Sequence, residues 1–203
     1  GVQKINNVED LEKAFDQASV LEEAVDLEKE LSVIVARNEN GEIKHFPLVE
    51  LEFNPIANMV EFLFSPAAVS SSIEEKAYEL ARTVIEKLDM VGLLAVELFL
   101  NKKGELLINE IAPRAHNSGH QSIEGNYTSQ FAQHLRAILN LPLGDTSIVM
   151  PSVMVNLLGD EKANGAAHYQ GMESILAMKG VYPHLYGKEM VKPFRKMGHI
   201  TII

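Results

Sequence analysis

The spacing of apolar residues predicts three helices in this chain. In "SSSIEEKAYELARTVIEKLDM", apolar side chains recur every three or four residues behind a serine cap, which predicts a helix over Ile73–Leu88. The same spacing in "TSQFAQHLRAILNL" predicts a helix over Thr128–Leu139. Near the start, Asn7 is a suitable N-cap with an acidic first turn behind it, and we expect a helix over Val8–Gln17.

Apolar runs separated by turn residues predict the strands. "LSVIVAR" and "EIKHFPLVEL" are two such runs, split by "NENGE", whose Asn40-Gly41 pair is typical of a hairpin. A further strand is expected near Val60–Phe64, and "GLLAVELFL", "NKKG" and "ELLINEI" predict a second hairpin. Hairpins with short connections build antiparallel sheets that helices cover, so we expect an α+β fold and not a parallel sheet with crossover helices.

The pattern changes to short strands after about Ser147, which predicts a domain boundary within "LPLGDTS". We therefore expect one domain over residues 1–146 and a small β-rich domain over residues 147–203. The chain begins at Gly1 instead of Met, and it ends on Ile203 inside a strand-like run. These ends lead us to expect a piece of a longer protein.

Composition and charge narrow the class of protein. The 203 residues are 46% hydrophobic, which suffices for a globular core. The net charge is −10 and no run of Lys or Arg exceeds two, so we expect no nucleic acid partner. The absence of cysteine excludes disulfides and cysteine nucleophiles and fits a cytoplasmic location. The longest apolar run is interrupted by Glu97, so we expect no membrane partner.

Two glutamates in the second predicted hairpin are candidates for a metal site. With a four-residue loop over Asn101–Gly104, Glu97 opposes Ile108, and Glu110 lies on the same face. Carboxylates set among apolar residues are costly to bury unpaired, and a hard cation such as Mg²⁺ would remove that cost. Alternatively, both side chains face water, and a one-residue change in the loop would place them on opposite faces.

The segment "PRAHNSGH" follows this hairpin directly. Arg114 can hold a planar oxyanion such as bicarbonate through two parallel hydrogen bonds. His116 and His120 have the spacing of a helical metal pair, but Pro113 and Gly119 argue against a regular helix. From the residues alone, an anion site and a loop that satisfies its own backbone are equally consistent with this segment.

Four segments together carry a specific resemblance. "LLINEIAPRAHNSGH", "TSQFAQHLRAILNLPLG", "PSVMVNLLG" and "RKMGH", in this order and spacing, resemble the 5-(carboxyamino)imidazole ribonucleotide synthases, which are ATP-grasp ligases of purine biosynthesis. The resemblance covers essentially the whole chain. The formate-using, ATP-grasp glycinamide ribonucleotide transformylases are the alternative, but their block typically reads Asp-Thr-Gly where this chain has "NSGH".

The resemblance implies a fold, a reaction and partners. The fold would be the C-terminal lobe of an ATP-grasp domain followed by a small β-rich domain. The reaction would join 5-aminoimidazole ribonucleotide, ATP and bicarbonate, through carboxyphosphate, into the N-carboxylated nucleotide, ADP and phosphate. The protein would act as a cytoplasmic homodimer.

The resemblance also implies a nucleotide and metal site. Glu97 and Glu110 would bind Mg²⁺ or Mn²⁺, with Asn109 beside the nucleotide phosphates. Glu30 would hold the ribose hydroxyls. The backbone of a hinge would receive adenine, and this hinge consists of Glu22, Glu23, Ala24 and Val25.

The remaining implied roles concern the anionic substrates. Arg195 and Lys196 would grip the ribonucleotide, and Lys196 would also belong to the catalytic groups. The bicarbonate and carboxyphosphate site would consist of Arg114, His116 and Asn117, and Ser118, a further catalytic group, would flank them.

Two departures from the family pattern limit these expectations. Phe53 stands where the family commonly has a histidine near the nucleotide. The family's N-terminal domain, its ATP-grasp lysines and a glycine-rich loop with a Tyr-Asp pair are not in this sequence. We therefore expect the parent protein to be a ligase and this piece alone to be inactive, or a non-catalytic domain that binds nucleotide weakly or not at all.

Overall fold

The computed structural model describes residues 3–56 and 59–203. Its helices are α1 (Ser71–Lys87), α2 (Ser122–Gly125), α3 (Gln130–Ile138) and α4 (Met172–Leu176), with 3₁₀ turns over Val8–Lys13 and Asn117–Gly119. Its strands are β1 (Leu27–Arg37), β2 (Ile43–His45), β3 (Val49–Asn54), β4 (Met59–Ser65), β5 (Gly92–Asn101), β6 (Leu106–Ala112), β7 (Ser152–Leu158), β8 (Gly165–Ala166), β9 (Val181–Leu185), β10 (Met190–Val191) and β11 (Lys196–Ile202).

Within these ranges, one nine-stranded sheet organises the molecule. Its order is β6-β5-β1-β3-β4-β7-β11-β9, with β2 paired to β1, and β8 pairs separately with β10. Every strand pair described is antiparallel. The prediction of an α+β fold with a mostly antiparallel sheet is confirmed.

Strand β1 is covered on both faces, which explains why its apolar run is nearly continuous. Leu31 and Val33 face α1, where they pack in one core with Ile85. Ile34 belongs to a second core on the opposite face, together with Ala137 of α3. The two core helices therefore lie on opposite sides of the sheet.

The two long predicted helices are confirmed as α1 and α3, with ends within two residues of the expected ones. The N-terminal prediction is wrong in length and type, because the structure has a 3₁₀ turn over Val8–Lys13 where a helix over Val8–Gln17 was expected. Asn7 does cap it, accepting from the Asp10 N–H at 3.1 Å. All residues of this turn except Asp10 are exposed, so no packing face favours a longer helix.

The sheet continues across the predicted domain boundary. The segment from 141 to 147 lies outside helices and strands, as expected for a connection. Beyond it, β7 pairs with β4 of the preceding part, for example through Leu63 and Met154. The division at residue 146 remains a prediction. No helix in the described ranges is long and apolar enough to cross a membrane.

Candidate active site

The face of the sheet that carries α3 changes from apolar to polar along its two central strands. Ile34 of β1 is part of the core, but Ser32 and Glu30 follow on the same side of the strand. On β5, Ala95 is part of the core, and Glu97 comes next on this side. Ser32 and Glu97 pair directly in the register of β1 and β5. The core therefore ends in a polar cleft.

The hairpin that carries the two glutamates has a different loop from the one predicted. The expected four-residue loop over Asn101–Gly104 is wrong, because the Asn101 N–H donates to the carbonyl oxygen of Glu105 at 3.0 Å. This hydrogen bond pairs the two residues and leaves a three-residue loop, Lys102–Gly104. Gly104 has a φ of 78°, a left-handed conformation that favours glycine. The shorter loop moves the register by one residue and pairs Leu98 with Ile108.

A β-bulge at Asn109 corrects this shift. In an uninterrupted register, the pairing of Leu98 with Ile108 would place Glu110 on the face opposite to Glu97. The register shifts again between Glu97 and Leu98, and Glu97 pairs directly with Glu110. The prediction that both carboxylates share one face therefore agrees with the structure, although the predicted register does not.

Glu97 lies in a strongly acidic environment. Its side chain is 12% exposed. Burial, and then the charges of Glu110 and Glu30, raise the pKa of Glu97 to about 7, against the opposing effect of Lys196. Burial also raises the pKa of Glu30 and lowers the pKa of Lys196. Three carboxylates therefore face one lysine, an imbalance that a bound cation would relieve.

The loop after β6 brings the imidazole of His116 close to Glu97 and Glu110. Its Nε2 lies 3.5 Å from Oε1 of Glu97, and its Nδ1 lies 2.9 Å from Oγ of Ser118. Ser118 Oγ is in turn 2.8 Å from Oγ of Ser32. Glu97, Glu110 and His116 each place one possible ligand atom within 4.8 Å of the others.

A pair of asparagines connects this loop to the C-terminal strands. Asn117 Nδ2 donates to Oδ1 of Asn156 on β7 at 2.8 Å, and Asn156 Nδ2 donates back to Oδ1 of Asn117 at 2.9 Å. Asn156 Nδ2 also donates to the carbonyl oxygen of Val60. Lys196 of β11 donates from Nζ to Oδ1 of Asn117 at 3.0 Å. Residues from both sides of the predicted domain boundary therefore build one cleft.

This cleft has a volume of about 180 Å³. One wall is apolar, and Phe53, which replaces the histidine expected at this position, is part of it. The lining residues are Leu51, Phe53, Met59, Val60, Glu97, Glu110, His116, Asn117, Ser118 and Lys196.

Comparison with known proteins identifies the family. An ATP-grasp domain model matches residues 1–131, and a model of the phosphoribosylaminoimidazole carboxylase C-terminal domain matches residues 152–203. The chain belongs to the ATP-grasp family. It is 46% identical over 185 residues to N5-carboxyaminoimidazole ribonucleotide synthase of Bacillus subtilis, covering 91% of this chain and 46% of that protein. The resemblance inferred from the sequence is confirmed.

Solved structures agree with this ATP-grasp assignment. The N5-carboxyaminoimidazole ribonucleotide synthetase of Thermotoga maritima matches with a TM-score of 0.88 and 49% identity, over 97% of this chain and 52% of that one. An Aspergillus clavatus synthase in complex with ADP and 5-aminoimidazole ribonucleotide matches with a TM-score of 0.80 and 41% identity, over 88% and 48%. The chain spans about half the length of these relatives.

The structure brings six of the fourteen residues expected to form the ATP-grasp site into the lining of this cleft: Glu97, Glu110, His116, Asn117, Ser118 and Lys196. Arg114 is exposed and is absent from the described lining of the cleft, and its guanidinium donates to the carbonyl oxygen of Ala115 at 3.1 Å. Burial, and then the charges of Arg114 and Lys196, lower the pKa of His116 to about 4. Arg114 therefore acts on the cleft electrostatically from outside it.

The remaining seven of the expected residues also lie outside the lining of the cleft. Arg195 donates to the carbonyl oxygen of Met190 at 2.8 Å. Asn109 is exposed at the bulge, and the expected adenine hinge, residues 22–25, lies just before β1. Glu30 is on the same face of β1 as Ser32, one step further from the core.

Sequence reasoning missed three buried polar residues of this site, Ser32, Gln130 and Asn156. Each is at most 4% exposed. Ser32 and Asn156 interrupt the apolar runs "LSVIVA" and "SVMVNLL", and Gln130 lies on the buried side of α3. A polar residue at an inward position of an apolar pattern is the signal that could have identified them.

Proposed function

We propose that this chain carries the metal and anion half of the active site of an ATP-dependent ligase. The ligase would carboxylate 5-aminoimidazole ribonucleotide with bicarbonate in purine biosynthesis. The observation that carries the proposal is the pairing of Glu97 with Glu110 beneath His116 in a cleft that Lys196 also lines. Membership of the ATP-grasp family and the names of the relatives support the choice of substrates.

Glu97 and Glu110 would hold Mg²⁺ or Mn²⁺ together with the phosphates of ATP. Two carboxylates with further oxygen ligands from substrate phosphates are a usual arrangement for Mg²⁺. The excess of carboxylates over lysine in the cleft fits such a cation. When bound, the ion would neutralise charge on the transferred phosphoryl group.

The proposed reaction has two steps. An oxygen of bicarbonate bonds to the γ-phosphorus of ATP while the bond to ADP breaks, which gives carboxyphosphate. The amine nitrogen of the ribonucleotide then bonds to the carboxyl carbon, loses a proton, and releases inorganic phosphate. These steps need oriented reactants and fixed positive groups more than a covalent enzyme intermediate.

In this proposal the hydrogen-bond donors of the cleft bind the anionic groups of the substrates. Lys196 is oriented by its hydrogen bond to Asn117, and Asn117 is held by Asn156. These fixed donors would stabilise bicarbonate and carboxyphosphate without rearranging during the reaction. Arg114 and Arg195 would contact the anionic substrates from the rim.

The nucleotide would bind along the same face of the sheet. In this proposal residues 22–25 receive adenine, Glu30 holds the ribose, and Asn109 lies beside the phosphates. The position of Glu30 on the cleft side of β1 supports this path.

A phosphate-release assay tests the function. The full-length protein should release phosphate from ATP only when both bicarbonate and 5-aminoimidazole ribonucleotide are present, with the carboxylated nucleotide in equal amount. Phosphate release that depends on formate and glycinamide ribonucleotide would instead support the transformylase. The 203-residue chain assayed alone tests the non-catalytic alternative.

A further inference from the structure

The amide of Gln130 holds the main chain of His116 from both sides. Gln130 is fully buried on α3, and its Oε1 accepts from the His116 N–H at 2.9 Å. Its Nε2 donates to the carbonyl oxygen of His116 at 2.8 Å. Because an N–H can only donate and a carbonyl can only accept, these two partners determine the orientation of the amide. The backbone of His116 is therefore fixed before any ligand binds.

Two further contacts determine the environment of the imidazole Nδ1. The backbone N–H of Ser118 points at Nδ1 at 3.4 Å, and the Ser118 hydroxyl lies 2.9 Å from it. The amide group can only donate, so Nδ1 must accept. The Ser118 hydroxyl can donate to the same nitrogen because the buried Ser32 hydroxyl, 2.8 Å away, can donate to Ser118 in turn.

We propose that these buried groups hold His116 in the tautomer that carries its proton on Nε2. A neutral imidazole has one N–H, and the accepting role of Nδ1 places it on the other nitrogen. Oε1 of Glu97 lies 3.5 Å from this nitrogen. Ser32, Ser118 and Gln130 are thus positioning residues that act through His116.

This assignment changes the chemistry of the cleft. Glu97, Glu110 and His116 are close enough to form a three-ligand metal set, but an Nε2 that carries a proton has no lone pair to offer a metal. The cation would then be held by the carboxylates alone, and His116 would donate a hydrogen bond to an anion in the cleft. This use of His116 rests on the proposed function, whereas the tautomer does not.

The tautomer can be measured directly. Long-range ¹H–¹⁵N correlation spectra of full-length protein labelled with ¹⁵N-histidine distinguish the protonated ring nitrogen from the unprotonated one. The signals of His116 are assigned by their loss in His116→Gln. We expect the proton on Nε2 in the protein free of nucleotide and metal. A proton on Nδ1, or comparable amounts of both tautomers, would overturn the proposal.

A serine variant tests what holds the tautomer. Ser118→Ala removes one hydrogen bond to Nδ1, and the ratio of tautomers should shift by roughly fivefold towards the proton on Nδ1. The control is Ser152→Ala, a buried serine whose hydroxyl has no partner in the described ranges, which should leave the ratio unchanged. An unchanged ratio in Ser118→Ala would overturn the proposed relay.

A second variant tests the same relay if Ser118→Ala does not fold. Ser32→Ala removes only the outer hydroxyl and should shift the ratio in the same direction by a smaller factor. An unchanged ratio in this folded variant would also contradict the relay. The spectra need no substrate, so a failed carboxylation assay and a wrong tautomer are separate results.

Discussion

At the scale of single residues, Glu97 is the most informative group in the molecule. Its carboxylate is placed among apolar neighbours and next to Glu110, an arrangement that costs stability in the free protein. The same arrangement would favour the proposed cation. The burial of Glu97 beside Glu110 would therefore account both for the proposed cation site and for a loss of stability in the free protein.

We predict that Glu97→Gln stabilises the free protein at pH 8. The pKa of Glu97 is raised to about 7 from 4.5, so its favourable contribution is complete below pH 4.5 and is lost as the pH rises through 7. The variant has no charge to bury, and its gain at pH 8 should be at most about 3 kcal/mol, falling towards zero at pH 4.5. Urea unfolding at both pH values measures this difference.

The control for this prediction is Glu75→Gln, a change to an exposed carboxylate on α1, on the other side of the sheet. It should change the free energy of unfolding equally little at both pH values. A Glu97→Gln variant less stable than wild type at pH 8 would contradict the assigned cause.

Glu110→Gln should remove most of the activity and leave the fold intact. Glu110 is exposed, so the free protein loses little by the change, whereas one ligand of the proposed metal site is lost. We expect kcat/KM of the full-length protein to fall by about 10²-fold or more, with a higher Mg²⁺ requirement. Steady-state phosphate release measures the fall, and normal turnover would refute the metal assignment.

At the scale of elements, the cleft depends on contacts between segments that are far apart in the chain. The loop after β6 is tied to β7 by the reciprocal amides of Asn117 and Asn156, and to β11 by Lys196. The positions of Asn117 and Lys196 therefore depend on hydrogen bonds between elements as well as on the element that carries each residue.

We predict that Asn156→Ala affects both stability and substrate binding. The change removes the acceptor of Asn117 Nδ2 and a donor to the carbonyl oxygen of Val60, at a cost of about 1–3 kcal/mol. Asn117, the acceptor that orients Lys196, also loses the contacts that hold it in place, so KM for the ribonucleotide or bicarbonate should rise. Thermal unfolding and steady-state kinetics together measure the two effects.

The matched control is Asn126→Ala, which removes another buried asparagine. Within the described ranges, the buried Asn126 side chain donates from Nδ2 to the carbonyl oxygen of Thr146, in the connection before β7. It should reduce stability by a similar amount without raising KM. Equal changes of KM in both variants would show that the Asn156 effect is merely structural.

At the scale of the whole molecule, two segments that match different family models share one sheet and one cleft. Asn156 and Lys196 come from the C-terminal segment, whereas the glutamates come from the ATP-grasp segment. The site therefore forms only when both segments are folded together. The homodimer and the cytoplasmic location remain predictions.

We predict that Mg²⁺ stabilises the full-length protein only together with ATP. Hydrated Mg²⁺ gives up water reluctantly, and two carboxylates alone should bind it weakly. Mg²⁺ with ATP at about 100 times the dissociation constant should raise the stability by about 2.7 kcal/mol. Thermal unfolding with Mg²⁺, with ATP and with both measures the difference.

Glu110→Gln should lose the part of this shift that depends on Mg²⁺, and Glu75→Gln should retain it. A large shift with Mg²⁺ alone would indicate a complete protein metal site and would contradict the two-carboxylate assignment.

The local pattern of apolar and turn residues in the sequence was sufficient to predict the two long helices and the two hairpins. The three- and four-residue spacing of apolar residues determines α1 and α3, because one face of each helix must be buried. Alternation and turn residues likewise predicted both hairpins. The motifs in "NEIAPRAHNSGH" and "RKMGH" were enough to recognise the family, since the chemistry of a site requires particular residues at particular spacings.

Only the tertiary structure decided how the site is assembled. The pairing of Glu97 with Glu110 results from a short loop and a bulge whose register shifts compensate, and neither is visible in an apolar pattern. Arg114 follows the strand as predicted, yet its side chain lies outside the cleft, because proximity in sequence does not determine side-chain direction. Asn156 reaches Asn117 across 39 residues of chain, since hydrogen bonds between distant elements depend on how the whole sheet packs.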